Sequence, residues 1–72
     1  MNDIQFMKDQ IENTPFKNSY SVFWGDSPFE SIVEGASRRD AALWVHLDAG
    51  YLPDDKDFPF RFSDYQVKEI VK

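Results

Sequence analysis

The sequence predicts a small α+β domain, and three observations support this fold class. The chain has 72 residues and no cysteine, so it has room for one domain, residues 1–72, held together by packing alone. Aromatic residues make up 17% of the chain, which supplies large apolar side chains for a core. Helix-capping signatures alternate with two segments rich in β-branched and aromatic residues. We therefore expect the order helix, strand, helix, helix, strand, helix.

Four predicted helices begin at capping signatures. A side-chain oxygen at the N-cap accepts an unpaired backbone N–H, and an acid or amide three residues later reaches back to the cap. The pairs with this spacing are Asn2 with Gln5, Ser27 with Glu30, Ser37 with Asp40, and Ser63 with Gln66. They predict helices over about 3–13, 28–34, 38–49 and 64–71. Pro28 strengthens the second start, and Gly50 suits the left-handed position that ends the third helix.

Two strands are predicted between the helices. Residues 19–24 are rich in β-branched and aromatic side chains, and over residues 58–62 phenylalanines alternate with Pro59 and Arg61. Because proline has no N–H to donate, the second strand is expected at the edge of a sheet or with Pro59 on its outward side.

The third helix should carry the centre of the core. Steps of about 100° per residue put Ala41, Trp44 and Val45 on one face, with Arg39 and His46 beside Ala42 on the other. We expect the second face to be free for solvent or a ligand, with His46 partly exposed and Trp44 among the most buried residues. The full predicted core comprises Ile4, Ile11, Val22, Ile32, Val33, Ala41, Trp44, Val45, Phe60, Phe62, Val67 and Ile70.

The composition gives little support for catalysis or for a bound cofactor. The chain has one histidine, His46, and it cannot form a local triad with Asp48, because residues two apart on a helix point in different directions. The absence of cysteine excludes thiolate metal sites, and isolated glycines form no phosphate-binding loop. Asp54, Asp55 and Asp57 lack the spacing of a helix–loop–helix calcium site. We expect no enzyme activity, cofactor or metal.

Neither a secretory leader nor a membrane span is predicted. Residues 1–10 contain Asp3, Lys8 and Asp9 among the apolar side chains, and no stretch approaches the roughly 20 apolar residues of a spanning helix. A cytoplasmic location is therefore expected.

The order of predicted elements, together with residues 47–52 (Leu, Asp, Ala, Gly, Tyr, Leu), resembles the winged helix-turn-helix family. The resemblance implies that residues 35–37 form the turn before the recognition helix, residues 54–57 the wing tip and residues 58–62 its returning strand. It also implies a set of side chains near DNA: Arg38, Arg39, Ala42 and His46 in the groove, and Lys56 and Arg61 near phosphates.

Charge favours a protein partner over DNA. The net charge is −5, and neutralisation of phosphates by cationic side chains is the main source of nucleic-acid affinity. We therefore expect a non-enzymatic protein-interaction domain, of the inhibitor or phage-type accessory kind, whose acidic, aromatic-rich surface engages a basic protein, with nucleic-acid-binding proteins among the candidates. Its expected contact residues are Asp54, Asp55, Asp57, Tyr51 and Phe58. The alternative is a winged-helix DNA-binding regulator that uses Arg38, Arg39, His46, Lys56 and Arg61.

Overall fold

Two helices and a three-stranded antiparallel sheet make up the protein. The computed structural model describes residues 3–15 and 17–71. Along the chain the elements are α1 (Asp3–Glu12), β1 (Asn18–Trp24), β2 (Ser31–Gly35), α2 (Arg38–Asp48), a single 3-10 turn (Phe62–Asp64) and β3 (Tyr65–Ile70). The α+β class is confirmed, whereas the order of elements differs from the predicted one in the 28–34 segment and after residue 57.

The sheet has the strand order β2-β1-β3, with β1 antiparallel to both neighbours. Tyr20 lies opposite Val33 of β2, and Trp24 lies opposite Tyr65 of β3. Because successive side chains alternate between faces, these four residues project from the same face of the sheet. Helix α2 contacts all three strands and covers this face.

The core lies between α2 and the covered face of the sheet. The buried residues of this core are Tyr20, Val22, Val33, Ala41, Ala42 and Tyr65. Partly buried apolar side chains pack against them: Trp24, Trp44, Val45, Phe60 and Val67. The predicted burial of Ile11, Val22, Val33 and Ala41 is confirmed.

Some core predictions were wrong. Ile32 and Ile70 are exposed because they stand opposite Ser21 and Ser19 of β1, on the face turned away from α2. Phe62 is exposed in the 3-10 turn. Trp44 is only partly buried; the largest fully buried side chains are instead those of Leu47, His46 and Val22.

The predicted helix over 28–34 was wrong, because β2 occupies most of this segment. Ser27 does accept a local backbone N–H, but the donor is Phe29, at 3.3 Å, and no helix follows. A seven-residue helix gains few internal hydrogen bonds, whereas Ile32 and Val33 have stiff, branched side chains that suit a strand. Pairing with β1 therefore prevails over the local capping signal.

The predictions for the last part of the chain were also wrong. Residues 58–62 form no strand: Phe60 donates its backbone N–H to Pro53 O at 2.9 Å, within the loop that follows α2. The predicted helix over 64–71 is instead strand β3, which pairs with β1. Strand β1 lies more than 40 positions before β3 in the chain. The local capping signature at Ser63 and Gln66 carries no information about a partner so far away.

Helix α2 begins and ends as predicted. The Ser37 hydroxyl accepts the backbone N–H of Asp40 at 3.2 Å. At the other end, Gly50 has φ +97° and donates to Leu47 O at 2.9 Å, while Tyr51 donates to His46 O at 3.3 Å. These two bonds form a Schellman motif, in which glycine takes the left-handed position at little cost.

Helix α1 packs beside α2 through its polar as well as its apolar side chains. Lys8 Nζ lies 2.8 Å from Asp48 Oδ1 and 4.6 Å from the centre of the Trp44 ring. The Trp44 indole donates to Glu12 Oε1 at 3.2 Å. The predicted α1 cap at Asn2 lies outside the described residues.

Candidate functional site

The segment that follows α2, residues 51–61, carries all the predicted partner-contact residues and is called the acidic loop below. It has no regular secondary structure. Two backbone bonds across it, Asp55 N–H to Leu52 O at 3.1 Å and Phe60 N–H to Pro53 O at 2.9 Å, give it a defined shape. His46 of α2 anchors the loop to the domain through a hydrogen bond to Leu52 O.

His46 is a buried connector and not the partly exposed histidine expected from the sequence; it is 1% exposed. Its Nε2 lies 3.0 Å from Leu52 O, and its Nδ1 lies 2.8 Å from the Tyr65 hydroxyl. A carbonyl oxygen can only accept, so Nε2 carries a proton and donates to Leu52 O; in the tautomer protonated at this nitrogen alone, Nδ1 accepts from the tyrosine O–H. The imidazole thus joins α2 to the acidic loop and to β3.

Aromatic rings enclose His46 on several sides. Trp24, Tyr51 and Phe60 have ring centres 5.6 to 5.8 Å from the imidazole centre. Trp24 also stacks on Tyr65, at 5.6 Å with an interplanar angle of 16°. Burial, and to a lesser extent the nearby Asp64 carboxylate, raise the pKa of the Tyr65 hydroxyl, which keeps it protonated as a donor.

Asp55 stabilises the acidic loop internally. Its Oδ1 accepts the backbone N–H groups of Asp57 and Phe58, each at 2.9 Å. An aspartate that bonds to the backbone two residues later forms an Asx turn, which fixes the local chain direction. The Asp55 carboxylate therefore shapes the loop, whereas Asp54 and Asp57 are exposed to solvent.

One recess lies between the acidic loop and α1, and is called the α1 groove. It measures about 400 Å³ and is lined by Phe6, Met7, Leu52 and Pro53, with Asp3 and Asp54 contributing carboxylates. The Phe6 side chain is 56% exposed, which is unusual for so large an apolar group. The groove thus combines apolar walls with two negative charges.

A second, smaller recess is called the Trp24 pocket. It measures about 180 Å³ and is lined by Trp24, Asp57, Phe58, Pro59, Arg61 and Asp64. The Phe58 ring is 49% exposed and lies 4.8 Å from the Tyr51 ring, centre to centre. Two of the predicted contact residues, Asp57 and Phe58, are therefore brought together here with Trp24 and Asp64, which the sequence analysis did not select.

The residues of the DNA-binding alternative are in part unavailable for contact. His46 and Ala42, predicted to face a groove, are buried against the sheet. Arg38, Arg39, Lys56 and Arg61 are exposed. The Arg39 guanidinium lies 5.3 Å from the Phe60 ring centre, so this cation of α2 is next to the acidic loop.

Within the described ranges, no group of three or more His, Cys, Asp or Glu residues is arranged to hold a metal ion. No helix in that part of the chain has the length and apolar character needed to cross a membrane.

The additional site residues could not be found from spacing along the chain. Asp3 and Phe6 precede the acidic loop by about 50 positions, and Trp24 and Asp64 belong to different elements from it. Their contribution depends on how α1 packs and on the pairing of β1 with β3. The high aromatic content of the sequence was a signal for these residues, but it did not show which aromatic side chains lie in the core and which lie at the surface.

Comparison of the chain with family models, curated proteins and solved structures gave no match.

Proposed function

We propose that the protein is a non-enzymatic interaction domain that binds a basic protein partner through the acidic loop. The observation that carries this proposal is the α1 groove, whose lining combines the exposed Phe6 ring with the acidic side chains of Asp3 and Asp54. An apolar anchor site with charged groups at its rim is typical of protein interfaces. The occupant we propose is a segment with an apolar side chain flanked by lysine or arginine.

Overall charge supports the same choice of partner. The chain carries a net charge of −5, and the exposed Asp54 and Asp57 lie on the two recesses that flank the acidic loop. Complementary charge accelerates the association of two proteins and disfavours approach to like-charged surfaces such as DNA. An inhibitor or accessory protein that occupies a basic, nucleic-acid-binding surface fits this charge distribution.

Site-specific photocrosslinking tests the proposal. A photoreactive phenylalanine analogue is placed at Phe6, and in a separate variant at Phe29, which is 81% exposed in the β1–β2 connection. Both are exposed to a nuclease-treated lysate of the source cells, and the adducts are identified by mass spectrometry. We expect a discrete adduct with a basic protein from position 6, and not from position 29.

The matched charge variant is Asp3→Asn with Asp54→Asn. It should reduce the yield of the position-6 adduct while the melting temperature stays within about 2 °C, because both residues are at the surface. Equal adducts from both positions, adducts with acidic proteins, or an adduct that is insensitive to the two substitutions would each overturn the proposal.

A further inference from the structure

We propose that the Trp24 pocket binds one cationic side chain, a lysine or an arginine, of the partner. This inference rests on the proposed function for the identity of the partner as a basic protein, but the chemistry of the pocket can be tested without that partner. It assigns a second contact point to the acidic loop, in a recess that has no lining residue in common with the α1 groove.

The aromatic walls of the pocket are held in fixed positions. Trp24 is stacked on Tyr65 and meets Tyr51 edge-on, with ring centres 5.8 Å apart. Phe58 in turn packs on Tyr51. The faces of tryptophan and phenylalanine rings attract cations, and a fixed ring loses less conformational entropy on binding than a mobile one. The pocket is therefore organised before a ligand arrives.

The charges of the pocket also favour a cation. Asp57 and Asp64 contribute two carboxylates, and Arg61 contributes one guanidinium. Among the described residues, the ion pair within 4.0 Å joins Lys8 to Asp48, so Arg61 does not neutralise either carboxylate at that distance. Asp64 lines the pocket and directly precedes Tyr65, whose ring stacks on Trp24, so this carboxylate belongs to the same cluster as the aromatic walls.

The size of the pocket limits what it can accept. A volume of about 180 Å³ is below the roughly 300 Å³ at which most small-molecule sites begin. It suits one long side chain and excludes a cofactor or a nucleotide. A single lysine or arginine, with an apolar stem against the rings and a charged head at the carboxylates, matches both the size and the chemistry.

The test is a titration with blocked amino acids, N-acetyl-lysine methylamide and N-acetyl-arginine methylamide, at constant ionic strength. Trp24 is the reporter, observed by its indole N–H resonance in the unmodified protein and by fluorescence in a Trp44→Phe variant that leaves it as the sole tryptophan. We expect a saturable change at millimolar ligand from at least one of the two probes. The neutral norleucine analogue should cause no such change.

Three variants locate the binding. Asp57→Asn with Asp64→Asn should weaken it at least about fivefold, since both carboxylates line the pocket, and Arg61→Ala should strengthen it by removing a competing cation. The charge-matched control Glu34→Gln with Glu69→Gln, on exposed strand positions, should leave it within about twofold.

The possible outcomes separate this inference from the proposed function. If neither cationic probe changes the Trp24 signal, or if the control variant weakens binding as much as the pocket variant, the Trp24 pocket is not a cation site. Crosslinking from Phe6 to a basic partner would still stand in that case. If the probes bind as expected but no basic protein is captured, the proposed function fails while the pocket chemistry is confirmed.

Discussion

His46 shows how one residue can determine the position of a functional segment. On a helical wheel it shares a face with Arg39 and Ala42, which indicates solvent or a ligand. In the structure Ala42 and His46 of this face are buried while Arg39 stays exposed, and both imidazole nitrogens have partners, the Tyr65 hydroxyl and Leu52 O. A buried polar side chain with every hydrogen bond satisfied is compatible with a core. The sequence cannot reveal those partners, since one lies 19 positions away.

A double-mutant cycle on His46 and Tyr65 tests this connector. His46→Leu should lower the free energy of unfolding by about 2–4 kcal/mol, because it leaves the Tyr65 hydroxyl and Leu52 O without partners. Tyr65→Phe alone should cost about 1–2 kcal/mol. In the His46→Leu background the same change should be neutral, because the hydroxyl has already lost its acceptor. Urea denaturation of the four proteins measures the coupling.

The control for this cycle is Tyr20→Phe. The Tyr20 hydroxyl accepts from Asn18 Nδ2 at 3.5 Å, whereas the hydrogen bonds and ring contacts of His46 in the described part of the chain involve other residues. Its cost should therefore add to that of His46→Leu within about 0.5 kcal/mol. If the costs of Tyr65→Phe and His46→Leu were also additive, the assigned hydrogen bond between His46 Nδ1 and the Tyr65 hydroxyl would be contradicted.

Gly50 is the residue-scale prediction that comes directly from the sequence. Gly50→Ala should destabilise the protein by about 1–2 kcal/mol, because φ +97° is unfavourable for a residue with a side chain. Apart from its two chain neighbours, no described residue has an atom within 4 Å of the added Cβ, so the cost is conformational and not steric. Gly35→Ala is the matched control: its Cβ would make ordinary contacts at 3.5 Å, and we expect no loss of stability. Equal melting temperatures for the two variants would contradict the argument.

At the scale of elements, local signals were sufficient where the element itself supplied its stabilising contacts. The α2 cap at Ser37 and the end at Gly50 involve residues within five positions of each other, and both were predicted correctly. The signals failed for β2 and β3, whose backbone hydrogen bonds depend on β1. Residues 27–30 and 63–66 carry the same capping pattern as α2, so only the tertiary pairing distinguishes strand from helix there.

Helix α1 contacts Trp44 of α2 through Glu12 and Lys8. Trp44 is partly buried, so we expect Trp44→Ala to cost less than the roughly 3–5 kcal/mol typical of a fully buried tryptophan. The loss should be concentrated in α1, because the indole bonds to Glu12 and supports Lys8. Hydrogen exchange measures this: protection of α1 amides should fall by at least about 1 kcal/mol more than protection of β1 amides.

The matched variant for α1 is Lys8→Met. It removes the ion pair with Asp48, whose side chain is 56% exposed, but keeps an apolar stem of similar length over Trp44. Exposed ion pairs contribute at most about 1 kcal/mol, so we expect a small effect on α1 exchange. If Lys8→Met opens α1 as much as Trp44→Ala does, the ion pair and not the tryptophan holds the helix.

At the scale of the whole molecule, the acidic loop joins contributions from α1, β1 and the 3-10 turn into two recesses. The sequence identified the acids of this loop and the net charge that favours a basic partner, but it predicted a strand over residues 58–62, where the structure has none. It did not divide those acids between an internal role for Asp55 and surface positions for Asp54 and Asp57. That division follows from backbone geometry, which is set only once the loop is folded over His46.

Association kinetics test the surface acids. Against the basic protein captured from Phe6, Asp54→Asn with Asp57→Asn should lower the association rate and reduce its dependence on salt, with the melting temperature unchanged. The variant Glu34→Gln with Glu69→Gln makes the same change in net charge elsewhere and should have the smaller effect. Equal effects would mean that overall charge, and not the acidic loop, steers the partner.

Binding to duplex DNA tests the basic-partner proposal against the DNA-binding alternative. If the protein acts on a basic partner, the wild type should show no saturable binding to duplex DNA at low salt, because its net charge of −5 repels phosphates. The DNA-binding alternative predicts measurable binding that tightens when Asp54 and Asp57 become asparagine and disappears when Arg38 and Arg39 become alanine. A fluorescence-anisotropy titration of all three proteins at two salt concentrations separates these outcomes. Binding with that pattern, and with an affinity that falls as salt rises, would replace the basic protein by DNA as the partner, because phosphate contacts are the salt-sensitive part of such complexes.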